Sequence, residues 1–505
     1  MIGIGPNPEF LRYWRAELRP RRVGAAAAIV AVLLAGTGLT AWSLAEGKSG
    51  EFFGIVYTVL LVTQFLVLGA WSAAACSEAI SRERQLKTYD FLRTTSLTAI
   101  ELMAGKLLGC PVLAYCVMAW CLPFTAVAGL LAGYGPIVLL TAYVLLVLFC
   151  LFAGMVGLLI SLLAEKSSTG GAALLVLLTQ WVSAFWTETA FPGFAGLSVV
   201  PALLALHGKG SSLFALTEAR MQLFGWPVHP FWITVVLMLS LGAWLGLIIR
   251  GNLKKDIDQI RLFTRNQAIG LAAFANLLAY AFLDRASLLG HHGHATVELV
   301  RSLAVVLNVV LAFVMGVGML VSHERLRAWS RGWRAGRVSY LAEDGPPWPW
   351  LLPPVLIAYG ALVLQAVAIR QDIPLAAWRL GDTAIQLGVL MVFVLRDVLF
   401  LQWCRLGRFR RPLFAGVLLL GLYYLLACVV SLFAAYLSQG SGDLAACLLT
   451  PTWGFKMTPF APALLPRVAL TLIVQAAAIA AILVAIGRRL DAAPVRPSTV
   501  KGEKA

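Results

Sequence analysis

PIVLLTAYVLLVLFCLFAGMVGLLISLL, residues 136–163, runs for 28 residues without one charged side chain. An α-helix rises 1.5 Å per residue, so about 20 apolar residues already cross the roughly 30 Å hydrocarbon layer of a bilayer. The alternation of a β-barrel strand is absent from it. Such a run predicts a membrane-spanning helix, whose backbone hydrogen bonds are all internal. Working outward, comparable runs precede it at 23–45, 53–76 and 107–132 and follow it at 169–186 and 230–250. Six more lie at 268–284, 298–322, 350–370, 380–402, 412–438 and 463–487. The chain of 505 residues is 60% apolar and only 13% charged, against about 25% charged in soluble proteins. The expected fold is all-α: a polytopic integral membrane protein with about 12 transmembrane helices.

The basic residues orient it. With the N-terminus inside, thirty of the 40 Lys and Arg residues fall on inner segments, eight on outer ones, and Arg396 and Arg467 within spans. Basic loops are retained on the cytoplasmic side, so both termini are expected there. The net charge of +16 then reports topology, and no nucleic-acid partner is expected. The eight Cys residues are scattered, and only Cys447 falls in an outer loop, so no disulfide framework is implied. The first run is too long for an ordinary cleaved signal peptide and is read as retained.

Laid against itself, the chain shows landmarks offset by about 240 residues. SRER at 81–84 falls on SHER at 322–325, and the third and fourth spans begin near 107 and 136 or near 350 and 379. AEKSSTGGAALLVL at 164–177 falls on GRFRRPLFAGVLLL at 407–420. This predicts a first six-helix unit at 1–250, a cytoplasmic linker at 251–267, a second six-helix unit at 268–490 and a cytoplasmic tail at 491–505. An even number of spans per unit makes the copies parallel. Within each, a longer outer segment separates the fifth and sixth helices, at 187–229 and 439–462.

Between the second and third spans stands the charged stretch SRERQLKTYDFLRTTSLTAIELMAGKLLG, residues 81–109. From Glu78 to about Leu92, Leu86, Tyr89 and Leu92 recur at helical spacing among Arg and Lys, which predicts an amphipathic helix on the inner membrane surface. Thr94, Thr95 and Ser96 interrupt it, because short hydroxyl side chains compete for backbone hydrogen bonds. Thr98 followed by Glu101 reads as a capping box restarting a helix into the third span. A solvated loop that only enforces topology explains the charges, but it needs neither the break nor the capping box.

ERQLKTYDFLRTTSLTAIELMAGKLLG resembles the region between the second and third helices of type 2 ABC transporter permeases. Glu83, Arg84, Thr88, Asp90, Leu92, Thr95, Leu97, Gly105 and Lys106 fit that pattern. Lys87 departs from it where Gly is usual, and Ser96 where Pro is usual. PNPEFLRYWRAELRPRR is similar to the interfacial helix such permeases carry before the first span, here residues 6–20. The resemblance covers residues 6–250; in the second half only His323, Glu324 and Arg325 share the motif. It implies a permease subunit of an ATP-driven exporter in a bacterial inner membrane, with residues 78–106 as the region coupling it to cytoplasmic ATPase subunits. Glu324 and Arg325 would be a weaker second coupling point. Such permeases work as pairs, which a tandem fusion would supply on one chain.

No GxxxxGK[ST] phosphate loop is present, and EGKSG at 46–50 and HGKGSS at 207–212 lack the upstream glycine. An ATPase partner must therefore be another chain, and no cofactor, metal or catalytic residue is expected in this one. HHGH at 291–294 and DID at 256–258 read as solvated turns. Gln64, Gln180, Asn276, Asn308, Gln365, Gln386 and Gln475 are polar exceptions within spans, as often interhelical hydrogen bonds as pathway linings. Arg396 and Asp397 lie near the inner end of their span, where Arg can snorkel and where adjacent residues are not expected to face each other. An ion-coupled secondary transporter is the main alternative, although it usually places acids within its spans. An intramembrane enzyme on lipid-linked substrates would need clustered His or carboxylates, and a non-transporting scaffold is also compatible. Neither substrate nor direction of transport follows from these residues.

Overall fold

In hydrocarbon, backbone amides must find partners within their own segment, and the chain meets this demand with helices. The computed structural model describes residues 7–45, 49–163, 169–184, 198–199, 202–203, 221–223, 226–255, 260–281, 293–343, 345–368, 379–407, 412–437 and 465–492. They fall into two compact units, one chiefly Met1–Ile260 and the other chiefly Arg261–Tyr280 with Arg285–Ala505.

The first unit contains α1 (Pro8–Glu17), α2 (Pro20–Leu44), α3 (Ser49–Glu78), α4 (Ser81–Gln85), α5 (Tyr89–Thr94) and α6 (Ala99–Gly109). It continues with α7 (Val112–Leu131), α8 (Pro136–Leu163), α9 (Thr169–Ala184) and α10 (Pro230–Asn252). Before α10, strands β1 (Met221–Leu223) and β2 (Trp226–Val228) pair antiparallel, Met221 opposite Val228. The second unit contains α11 (Arg265–Ala281), α12 (Gly293–Gly318), α13 (His323–Arg334), α14 (Leu352–Ala368), α15 (Leu380–Arg405), α16 (Pro412–Leu437) and α17 (Leu465–Ala492). Each apolar run read from the sequence thus carries a helix. Among the described residues, seven are long and apolar enough to cross a membrane: α2, α3 with α4, α7, α8, α10, α15 and α17. An eighth arises if α12 and α13 are one bent span. The protein is a membrane-embedded, multi-pass helical protein. Large apolar side chains exposed along α2, α8 and α16, such as Val32, Ile137 and Leu425, are side chains that lipid accommodates and water does not.

In the first unit α3 is central, packed by α2, α7, α8 and α9. Tyr57, Leu61, Phe65 and Leu68 meet Leu145, Leu146 and Phe149 in its core. Close approach depends on a small residue: a Cβ on Gly157 of α8 would lie 2.1 Å from the backbone oxygen of Ala73 on α3. In the second unit α15 is central, against α12, α16 and α17. There the glycine is on the other helix, since a Cβ on Gly316 of α12 would meet Val398 of α15 at 2.4 Å.

The turn after α3 in the first unit and after α12 in the second is held by a polar side chain from the helix packed against it, α8 or α15. Ser161 Oγ accepts hydrogen bonds from the backbone of Ile80 and Ser81, at 2.9 and 3.0 Å. Gln402 accepts from Val321 N at 3.0 Å and donates to Val321 O at 2.8 Å. Ser322 follows Ser81 by 241 residues, and Gln402 follows Ser161 by the same 241. These side chains satisfy amides that the helix break would otherwise strand in a dry interior.

The predicted surface helix over 78–92 is instead three pieces: the end of α3, then α4, then α5. α4 stays with α3 in a run from Glu51 to Gln85, and the sharp bend belongs to the second unit, where α13 turns 88° from α12. The reason lies at Lys87, whose φ of 56° puts it in the left-handed region and ends α4. Thr88 N donates to Glu83 O at 2.9 Å and Lys87 N to Arg84 O at 3.1 Å, the paired bonds of a Schellman cap.

Two outcomes test this account. Gly157→Ala should lower stability by about 1–3 kcal/mol through overpacking, whereas Gly421→Ala, with nothing within 4 Å, should be neutral or stabilising; thermal unfolding in detergent compares them. Lys87→Gly should raise stability by about 1 kcal/mol, because only glycine adopts the left-handed conformation without steric cost. An unchanged or lower melting temperature for Lys87→Gly would contradict the strain argument.

Candidate functional site

Asn7 starts the site. Its Oδ1 accepts from the amides of Glu9 and Phe10, capping α1, while its Nδ2 donates to Glu101 O of α6 at 2.6 Å. Pro8 occupies the first helical position, where its fixed φ suits the helix. α1 then lies along α6 because Gly105 and Gly109 leave no Cβ in the way. A Cβ on Gly105 would fall 2.8 Å from Asn7 Oδ1 and from Glu9 Cβ, and one on Gly109 would fall 2.9 Å from Tyr13 Cβ. Four-residue glycine spacing of this kind is a recurrent means of close helix contact in membranes.

The close seam encloses a charge cluster. Lys106 is fully buried, and its Nζ donates to Glu9 Oε1 at 2.8 Å and to Glu83 Oε1 at 2.6 Å. Arg12 spans the same two carboxylates, 2.8 Å from Glu9 and also hydrogen-bonded to Glu83. Two cations and two carboxylates balance. Moving one buried ion alone from water to a dry interior would cost several kcal/mol even after relaxation, so removing Lys106 strands both carboxylates, whereas Arg12 is half-exposed and keeps water. Tyr13 covers the cluster, with Lys106 Nζ 5.5 Å from its ring centroid. Burial holds the Tyr13 phenol above its usual range, and nearby Cys110 and Glu83 add to the effect. It stays a neutral lid. The cluster therefore ties three elements together: α1, α4 at the end of α3, and α6 leading into α7.

The elbow is fastened on its other side to the end of α10. Tyr89 OH donates to Leu253 O at 2.6 Å, Arg93 Nε to Lys254 O at 3.1 Å, and Lys254 Nζ to Thr95 O at 3.3 Å. Arg84 donates to Leu162 O of α8 at 2.8 Å and stacks over the Tyr89 ring. Leu92 is buried with Tyr89 in the adjoining core. The Thr98–Glu101 capping box is present, with Glu101 Oε2 accepting from Thr98 N at 2.8 Å and Thr98 Oγ1 accepting from Glu101 N at 3.2 Å.

The residues matching the permease pattern therefore separate into two groups. Glu83, Arg84, Leu92, Gly105 and Lys106 face inward and build the scaffold. Thr88 and Asp90 are exposed, while Thr95 and Leu97 are half-buried. The outward tips are Leu86, 64% exposed, and Phe91, 73% exposed, neither of which the pattern singled out. In the second unit Glu324 is exposed at the start of α13 and Arg325 is half-buried. The position 241 beyond Lys106 is Pro347, so the charge cluster has no second edition there.

Arg396 and Asp397 do not snorkel. Both are buried in α15, and Arg396 Nε and its NH2 group donate to Asp397 at 2.9 and 2.7 Å. The guanidinium also donates to Tyr423, Gln475 and Tyr424, each at 3.0 Å. That uses all five N–H donors of an arginine. The closed network fastens α15 to α16 and α17, and leaves the guanidinium nothing with which to hold a ligand. Adjacent residues pair because the long Arg side chain folds back beside its own helix. Asn276 and Asn308 exchange hydrogen bonds at 2.8 and 2.9 Å between α11 and α12. Gln64 joins Thr125 at 2.9 Å and Tyr143 at 3.2 Å. These polar exceptions are interhelical clamps. DID at 256–258, His291 and His292 lie outside the described residues. Among known proteins, no family model, curated protein or solved structure matches the chain.

Lys106→Met should destabilise the fold by about 3–5 kcal/mol by stranding two buried carboxylates, and Glu9→Gln with Glu83→Gln in the same chain should recover most of the loss. Denaturant titration of the purified protein measures both; failure of the combined variant to recover would mean that the charges are not what binds the seam. A second outcome concerns acid. The hydrogen bonds from the Thr98 backbone and hydroxyl hold the Glu101 carboxyl below its usual 4.5. A depressed carboxylate stabilises above its unfolded pKa, and that contribution disappears as pH falls through the folded value. Glu101→Gln keeps the capping geometry without the titration, so its melting temperature should fall less than that of the wild type as pH drops from about 5 to 3.

Proposed function

We propose that the chain is a permease subunit of an ATP-driven exporter, similar in plan to type 2 ABC permeases, with twelve spans in two parallel six-helix units and both termini cytoplasmic. A separate cytoplasmic ATPase supplies the energy, docking on the elbow of the first unit. The observation supporting this reading is the division of labour within residues 81–109. Its inner face is fixed by buried charge and side-chain hydrogen bonds to α1, α8 and α10, while two apolar tips, Leu86 and Phe91, stand exposed among charged residues. A segment that only oriented the chain would have no need of such fixing. A rigid elbow with exposed apolar anchors suits the transfer of force from a soluble partner, because a few desolvated apolar residues dominate most protein interfaces. The Thr98–Glu101 capping box then joins the elbow directly to α6 and the third span.

The ion-coupled alternative needs an acid within the spans that a transported ion can reach. Asp397 is instead occupied by Arg396 and by the Tyr424 hydroxyl. The second unit keeps a polar clamp at its own elbow but lacks the charge cluster, which fits asymmetric docking, strong at Leu86 and Phe91 and weak at Glu324 and Arg325.

Leu86→Asp with Phe91→Asp should cut co-purification of the ATPase about tenfold or more and abolish ATP-driven transport, with the melting temperature unchanged. Glu83→Ala with Arg84→Ala should instead lower the melting temperature. Equal ATPase recovery by wild type and the Leu86/Phe91 variant would remove the elbow from the coupling path.

A further inference from the structure

A cleft of about 610 Å³ opens where the apolar run of α3 ends, between α1, the start of α2 and α4. Its size is that of a ligand site. Trp71, Ala74, Ala75 and Ala79 form an apolar wall on the α3 side. Beside Arg12 and Glu83, which belong to the Lys106 cluster, its charged lining is balanced: Arg22 and Arg82 against Glu17 and Glu78. The balance decides the chemistry of the occupant. A purely anionic headgroup would gain from the arginines and lose against the carboxylates, whereas a group carrying both charges satisfies both sets.

We infer that this cleft holds the zwitterionic headgroup of a phospholipid bearing a primary ammonium, a phosphoethanolamine, with its acyl chains continuing along the α3 wall into the bilayer. Arg82 is exposed and its side chain makes no hydrogen bond or ion pair among the described residues, so its guanidinium is available for phosphate, which it matches as a two-pronged donor. Arg22 spends one nitrogen on Glu17, leaving further donors on the same side. Glu17, paired with Arg22, and Glu78 are half-buried carboxylates, and the several lone pairs of each can accept from an ammonium with three N–H donors, which a quaternary ammonium lacks. The place is consistent too. Trp71 sits about two helical turns before the charged end of α3, at the depth where amphipathic rings meet headgroups. Lipid in this cleft would touch α1 and α4 together, the two elements that the Lys106 cluster joins.

The test uses the full chain in phosphatidylcholine nanodiscs carrying a trace of phosphatidylethanolamine with a photoreactive acyl chain. The expected result is labelling of the peptide containing Trp71 and Glu78, competed by unlabelled phosphatidylethanolamine but not by phosphatidylglycerol at the same mole fraction. Arg82→Glu should lower the labelling roughly fivefold, the worth of one basic contact at a membrane surface. Glu78→Gln, read beside its melting curve, should lower it as well while the protein stays folded. Equal or better competition by phosphatidylglycerol would overturn the zwitterion assignment. Competition by soluble phosphoethanolamine would overturn the lipid assignment in favour of a free headgroup compound. Labelling elsewhere, or labelling indifferent to Arg82→Glu, would overturn the site.

Discussion

A lysine ammonium with no access to water needs carboxylates within hydrogen-bond reach, and Lys106 has two, supplied by elements far apart in the chain. Glu9 comes from the helix before the first span and Glu83 from the elbow after the second. Much of the packing around α1, α4 and α6 follows from that requirement. α1 must lie close enough to deliver Glu9, which Gly105 and Gly109 permit, and Asn7 must hold its N-terminus in register on α6. α4 must end soon after Glu83, which the left-handed turn at Lys87 achieves. The buried pairs add little net stability in themselves, since desolvation offsets most of their attraction. Their effect is selective: other arrangements of α1, α4 and α6 leave charge unpaired.

The two units solve the same problem with different chemistry. Both secure the turn after α3 or α12 with a side chain from the helix packed against it, serine in one and glutamine in the other, 241 residues apart. Both bring that helix pair close with a glycine, placed on opposite members. The buried charge differs. In the first unit it lies at the elbow and links it to α1. In the second, the buried Arg396–Asp397 pair lies within α15 and is closed by two tyrosines and a glutamine. The first arrangement connects an exposed surface to a span, and the second locks spans to one another. The contrast fits the proposed docking of a partner on the first unit.

Hydrophobic length made the helices legible, since a run such as 136–163 has few other stable settings, and α8 occupies it end to end. The Thr98–Glu101 capping box was equally legible, being a local pattern with one geometry. What spacing could not show was the destination of side chains that meet across long separations. Glu9 and Lys106 are 97 residues apart, and no local pattern joins them. The helical spacing of Leu86, Tyr89 and Leu92 suggested one continuous helix, but the Schellman turn at Lys87 prevailed; the departure from glycine there marked the spot. Arg396 looked free to snorkel because its partners Tyr423, Tyr424 and Gln475 are unremarkable residues in other apolar runs.

The account centres on the exposed tip of the first elbow as the place where a soluble motor takes hold. A photoreactive amino acid in place of Phe91, activated in intact membranes of the producing cell, examines that directly. The account predicts a cross-linked polypeptide that carries a phosphate-binding loop and disappears when the ATPase is deleted. Cross-links to lipid alone, or labelling of residue 91 by an impermeant reagent added from outside, would contradict it.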